Sequence, residues 1–170
     1  PDAAVFWLAA MIEGGEDPKF IARRLMVHAA EDIGLADPQA LNIAASAAAA
    51  VQLVGLPEAR IPLCEATIYL ATAPKSNSVV TAIDQAAAVV RQSKKLQVPV
   101  HLADSSHSQA GALLGKGRGY KYPHSFGGYV KQQYLPDEHQ DLQVYHPGDQ
   151  GYEKTIREFL SRLPNKRPSR

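Results

Sequence analysis

The segment from residue 16 to residue 38, EDPKFIARRLMVHAAEDIGLADP, restricts the fold more than any other stretch. It carries helix-start and helix-stop signals around an apolar stripe. Asp17 can accept hydrogen bonds from the unpaired N–H groups of a first turn, and Pro18 has the backbone angle that suits the first helical position. Gly34 can adopt the positive φ that closes a helix. Ile21, Leu25, Ala29 and Ile33 recur every four residues, with Phe20, Ala22 and Met26 widening the stripe. Lys19, Arg23, Arg24, His28, Glu31 and Asp32 occupy the other face. Asp37-Pro38 then repeats the start signal. The pattern predicts one helix running to Gly34, followed at once by another, and so a helical array packed on this segment.

The same grammar extends in both directions. Asp2 is expected to cap a first helix reaching about residue 13, with Val5, Leu8, Ala9 and Ile12 as its stripe and Phe6 and Trp7 adding bulk beside it. Gly14-Gly15 ends it. A third helix opens at Asp37-Pro38, carries Leu41, Ala45, Ala48 and Val51 on one face, and stops at Gly55. Alanine, at 26 residues of 170, lets neighbouring helices approach closely. A fourth helix spans about 58–72, where Pro62 is tolerable only in the first turn. A fifth starts at Ser76 and ends near Lys94, with Val79, Val80, Ile83, Ala87 and Val90 along one side. Short connections place neighbours antiparallel. The fold class is therefore mainly α, with a helical core over residues 1–95.

Beyond residue 95 the character changes. Residues 96–163 read as an extended connector, a short helix over 106–114, a Gly/Tyr-rich loop and a last helix over 150–163. Between residues 115 and 152 lie seven of the twelve glycines and six of the seven tyrosines. Disordered linkers lack such aromatic content. Tyr120, Tyr122, Phe126, Tyr129, Tyr134 and Tyr145 are expected to lay this loop on the helices, with a short hairpin near Gly127-Gly128. Ile156, Phe159, Leu160 and Leu163 would face inward from the last helix. Residues 164–170 form a basic tail.

Chemistry is sparse. The net charge of +1 points to no partner by itself. The single Cys64 excludes an internal disulfide, fits a reducing cytosol, and falls among Leu63 and Ile68 as a buried, inert thiol. No apolar run reaches the ~18 residues of a membrane span. The first residues lack a basic leader, and the helical pattern begins at Pro1, so the chain reads as part of a longer protein. Gly111-Ala-Leu-Leu-Gly-Lys-Gly superficially suggests a phosphate loop, but only three residues separate its first two glycines and Gly117 stands where Ser or Thr is needed. No nucleotide, cofactor or metal site is expected in this stretch. His101 and His107 flank Asp104 without ligand spacing. Arg24, His28 and Asp32 share a helix face, an arrangement open to a carboxylate-oriented base but read more simply as a polar surface. Glu31 and Asp32 oppose the dipole of a helix end, which calls for a cation such as Lys75.

Two surface features carry functional content. Lys116, Arg118, Lys121 and Lys131 are interleaved with tyrosines and glycines, and Arg23 and Arg24 add charge elsewhere; cations can neutralise phosphates while tyrosine rings stack on bases. The competing reading is a glycine-permitted surface loop with its tyrosines turned inward. Phe6, Trp7 and Val27 lie off their helices' stripes and are expected to seek burial between copies.

Three segments together carry a family resemblance: residues 17–38 (DPKFIARRLMVHAAEDIGLADP), 69–78 (YLATAPKSNS) and 117–137 (GRGYKYPHSFGGYVKQQYLPD). In this order they resemble the C-terminal region of the RarA/MgsA replication-associated recombination AAA+ ATPases, relatives of the eukaryotic Werner-helicase-interacting protein. The resemblance implies a helical domain similar to clamp-loader collars that assembles its proteins into homotetramers. It also implies a separate N-terminal module that binds ATP and magnesium, DNA and replication proteins as partners at stalled forks, and a cytoplasmic, nucleoid-associated location.

Overall fold

A computed structural model describes residues 1–103, 117 and 119–163. Among these residues there are six α-helices and no strand, so the chain is mainly α: α1 (Asp2–Glu13), α2 (Pro18–His28), α3 (Gln39–Val54), α4 (Arg60–Thr72), α5 (Ser78–Gln92) and α6 (Glu153–Arg162). The short helix expected over 106–114, the glycine-lysine run at 111–117 apart from Gly117, the Asp104–His107 pair and the tail at 164–170 lie outside the described residues. The chain divides into two compact units. One comprises Pro1–Asp84 and Tyr145–Glu158; the other comprises Gln85–Val144 and the residues from Phe159 onward.

The first unit holds the helical core. Asp17 caps α2 by accepting from the Lys19 N–H at 2.9 Å, and Pro18 opens it, as the pattern predicts. Asp2 does not cap α1. It lies inside the first turn, and Pro1 occupies the cap position with no side-chain hydrogen bond. The helix from Pro18 does not run evenly to Gly34. From Ala29 to Ile33 it widens into a π-helix, with the Gly34 N–H reaching back to the Ala29 carbonyl, and Gly34–Ala36 then tighten into a 3-10 turn. A wider turn of this kind is a known local departure within α-helices. Here it keeps Ala29 and Ile33 buried while the Asp32 carbonyl accepts from the Ser76 N–H at 2.8 Å. Gly34 has φ +50°, and a Cβ there would meet the Ser76 carbonyl and Val79 at 3.3 Å, so both its conformation and its tight setting favour glycine.

Two apolar clusters result. Leu8, Ile21, Ala22, Val51, Ala59 and Leu63 join α1 to α4, and Ile12, Leu25, Ala48 and Cys64 close over them. Ala29, Ile33, Ala40, Ala44 and Leu70 form the second, flanked by Met26, Tyr69 and Ala73. Alanines at the α3 contacts keep the helices close, which is the use their abundance predicts. Lys75 pairs with neither Glu31 nor Asp32. Its ammonium donates to the Leu70 and Ala73 carbonyls, each at 2.7 Å, satisfying the C-terminal end of α4 where a cation is favoured. Asp32 instead takes His28 as its partner.

The second unit is irregular where it is described. A 3-10 turn spans Pro123–Phe126, followed by Gly127 in the left-handed conformation; the expected hairpin is absent because no ladder forms on either side of it. Tyr120, Tyr122, Phe126, Tyr129 and Tyr134 remain exposed, so they are not the buried anchors that their number suggests. Val130 is the buried residue of that stretch. Side chains of the loop satisfy one another instead. The Gln132 amide accepts from the Lys121 N–H and donates to the Lys121 carbonyl, and Tyr134 donates to the Val130 carbonyl at 3.0 Å. Of the α6 residues in this unit, Phe159 is exposed and Leu160 is half-buried, as is Leu163 just beyond the helix; in the first unit's part of α6, Ile156 is half-buried and Glu153 is the buried residue.

Candidate functional site

The first unit presents an apolar surface that its own core does not cover. Phe6 and Trp7, each 64% exposed, meet edge to face with ring centroids 5.3 Å apart. Both are set off the stripe of α1 by helical periodicity, because Leu8 and Ile12 take the inward positions. Val27 is also exposed. The other side of α1 lines an open groove of about 840 Å³ together with α4. Val5, Ala9, Ile61, Cys64 and Ile68 supply its apolar wall, and Glu13, Arg60 and Glu65 its charges. Cys64 is half-buried in this wall rather than fully enclosed. Exposed apolar area of this kind marks surfaces that meet another molecule.

The candidate basic residues divide between the two units. Lys116 and Arg118 lie outside the described residues. Lys121 and Lys131 are exposed, and the paired contacts between Gln132 and the Lys121 backbone hold their two segments side by side. Exposed Tyr120, Tyr122 and Tyr134 adjoin them along the chain, and the Tyr122 ring lies 5.0 Å from the His124 ring. Arg23 and Arg24 belong to α2 in the first unit, with the Arg23 guanidinium 5.7 Å from the Phe20 ring. The cations named from the sequence are thus not gathered onto one described element.

Three polar pairs involving histidine are held within the described residues. His28 Nδ1 meets Asp32 at 2.7 Å on an exposed face. His101 Nε2 is held by the Gln133 carbonyl at 2.8 Å. Ser93 Oγ lies 2.6 Å from His139 Nε2, but the same hydroxyl is also 2.8 Å from the Val89 carbonyl, which occupies its proton. Among the described residues no group of three His, Cys, Asp or Glu side chains could hold a metal ion. No helix is long and apolar enough to cross a membrane among them.

One constellation escaped the sequence reading. Glu153, at 0% exposure, opens α6. Its carboxylate accepts from the Ser76 hydroxyl at 2.7 Å, the Gly148 N–H at 2.8 Å, the Tyr145 hydroxyl at 3.0 Å, and the Ser78 hydroxyl. Burial alone would push this carboxyl up; the four donors outweigh it and hold the group below its ordinary value of 4.5. Tyr145 is pushed up to about 12 by its own burial and by its bond to the carboxylate. The available signal was Gly148-Asp-Gln-Gly-Tyr-Glu, in which two glycines precede an acidic residue at a helix start.

Residues 1–164 match the family described as MgsA AAA+ ATPase C terminal. An AAA domain-containing protein of Mycobacterium tuberculosis is 52% identical over 163 residues, covering 95% of this chain and 36% of that protein. Replication-associated recombination protein A of Bacillus subtilis is 47% identical over 164 residues, covering 95% of this chain and 38% of its own length. The protein of the same name in Escherichia coli is 38% identical over 165 residues, with 96% and 37% covered. The chain therefore spans little more than a third of these relatives. A match over nearly every residue, together with an all-helical core, places it plainly: the chain belongs to the MgsA AAA+ ATPase C-terminal family.

Proposed function

We propose that this chain is the oligomerisation part of an AAA+ ATPase that acts in DNA replication and recombination at stalled forks, and that it assembles as a homotetramer. The observation that carries the reading is the exposed Phe6–Trp7 pair on α1, whose other face lines an open apolar groove with α4. Catalysis of ATP hydrolysis, with its ATP and magnesium, belongs to an ATPase module of the parent protein, which works in the cytoplasm on nucleoid DNA alongside replication proteins. Sedimentation of the purified chain beside a Phe6→Asp/Trp7→Asp variant tests the reading. Both rings are exposed, so the variant keeps its helices; the expected result is a large assembly for the unaltered chain and a smaller one for the variant. Identical sedimentation of the two would remove α1 from the interface.

A second reading has its own support. Lys121 and Lys131 stand exposed on segments tied together by Gln132, among exposed tyrosines. Such a surface suits sequence-independent contact with DNA through phosphates and base faces. Lys116 and Arg118 fall within the same stretch of sequence and extend the contact. The two readings are compatible, because assembly uses the first unit and DNA contact the second.

A further inference from the structure

We propose that Glu153 is a latch: its buried carboxylate holds the returning segment, Tyr145–Glu158, onto the helical unit, and the segment releases as one body when the acceptor is lost. This goes beyond assembly and DNA contact. It concerns how the chain closes on itself after leaving the first unit along α5. The geometry is specific. Ser76 and Ser78 stand at the start of α5, whereas Tyr145 and Gly148 belong to the return segment. One side chain therefore ties together points 77 and 75 residues apart in the sequence.

The site is built around an anion without a cation. Among the described residues no Lys, Arg or His forms an ion pair with Glu153, so neutral donors alone offset its desolvation. Of the titratable groups on the elements that touch it, Tyr145 faces it. Lys75 is turned to the Leu70 and Ala73 carbonyls, Asp32 is paired with His28, and His146, Asp149, Lys154 and Arg157 are exposed. A backbone clamp works beside the latch. The Tyr152 N–H donates to the Ala36 carbonyl at 2.8 Å. Gly151, at φ +50°, approaches so closely that a Cβ would stand 2.0 Å from the same oxygen. At Gly148 a Cβ would lie 2.7 Å from the carboxylate itself. The two glycines thus serve one closure, in which backbone approaches the carboxylate on one side and the corner after α2 on the other.

Loss of the acceptor leaves four donors without the buried carboxylate that they share. The local consequence is release of 145–158, while α1 to α4 keep both apolar clusters, to which the return segment contributes no residue. Hydrogen exchange on the full chain tests this. Glu153→Ala should speed exchange of the 145–158 amides by about 100-fold and leave α2 to α4 within about threefold of the unaltered chain. Gly148→Ala leaves the carboxylate in the sequence but crowds it, and should loosen the same segment. Ser76→Ala, which removes one donor, should do so more weakly and folds even if Glu153→Ala does not. Unchanged exchange of 145–158 in Ser76→Ala and Gly148→Ala would overturn the latch. So would acceleration spread equally over α2 to α4, which would make Glu153 a general stabiliser with no separate closure.

Discussion

The Tyr69 hydroxyl donates a 2.6 Å hydrogen bond to Asp37 Oδ2, while Asp37 Oδ1 accepts from the Gln39 N–H at 3.0 Å. One carboxylate thus serves the start of α3 and the last turn of α4. The bond to Asp37 raises the Tyr69 phenol above its ordinary 10.0, with burial and the nearby charge acting in the same direction. In an ultraviolet titration Tyr69 should ionise later than a free phenol, and Asp37→Asn should bring it back down. Identical titration of the two proteins would show that the bond does not persist in solution.

Glu153 ties stability to acid. Its folded pKa lies below the ordinary 4.5, so the unfolded chain binds the proton more readily. The stability it contributes is present above pH 4.5 and is lost as the pH falls through that value toward the folded pKa. Tyr145 acts at the other end: its folded pKa of about 12 exceeds 10.0, so its contribution is present below pH 10 and is lost as the pH rises toward 12. Limited proteolysis within 145–158 should rise more steeply with acid in the unaltered chain than in Glu153→Gln. Parallel acid profiles would contradict the assignment.

Leu63 has no exposed surface and joins α4 to residues of α1, α2 and α3. Leu63→Ala should cost about 2–5 kcal/mol, the range for truncating a fully buried leucine. Ile61, on the same helix but largely exposed, should tolerate alanine within about 0.5 kcal/mol in a monomer. Chemical denaturation of the two variants measures the contrast, and equal losses would mean that the cluster is misassigned.

The DNA reading predicts a salt slope. Lys121→Ala combined with Lys131→Ala should weaken binding to a single-stranded oligonucleotide and flatten the plot of log affinity against log salt by about 0.7 per lost phosphate contact. An unchanged slope would place the contact elsewhere. ATP with magnesium should give no heat of binding with this chain, and a micromolar site would contradict the assignment of nucleotide chemistry to another module.

The helical core was legible because its signals are local. Asp17-Pro18 and the four-residue repeat from Ile21 to Ile33 each act within a turn or two, and α2 begins where they say. The π-turn at Ala29–Ile33 was not legible, since its partner, the Ser76 N–H, comes from more than forty residues later. The same limit hid Glu153. A glutamate at a helix start ordinarily reads as a solvated favourable charge, and only folding brings Ser76, Ser78 and Tyr145 around it. The tyrosines misled for a different reason. Aromatic content shows that a segment can bury surface, but the Gln132–Lys121 pairing lets this loop order itself with its rings exposed. Family membership was readable from three short segments and Phe6, Trp7 and Val27 from their places off the helical stripes, whereas the α4 wall of the groove, Ile61 and Ile68, carries no comparable signal in a single sequence.

Light scattering of the unaltered chain at micromolar concentration reads its assembly without any substitution. An assembly module carrying the exposed Phe6 and Trp7 pair should scatter as four copies of the 18.4 kDa chain. A mass of one copy, with helical circular dichroism intact, would contradict the account and leave DNA contact as the leading function.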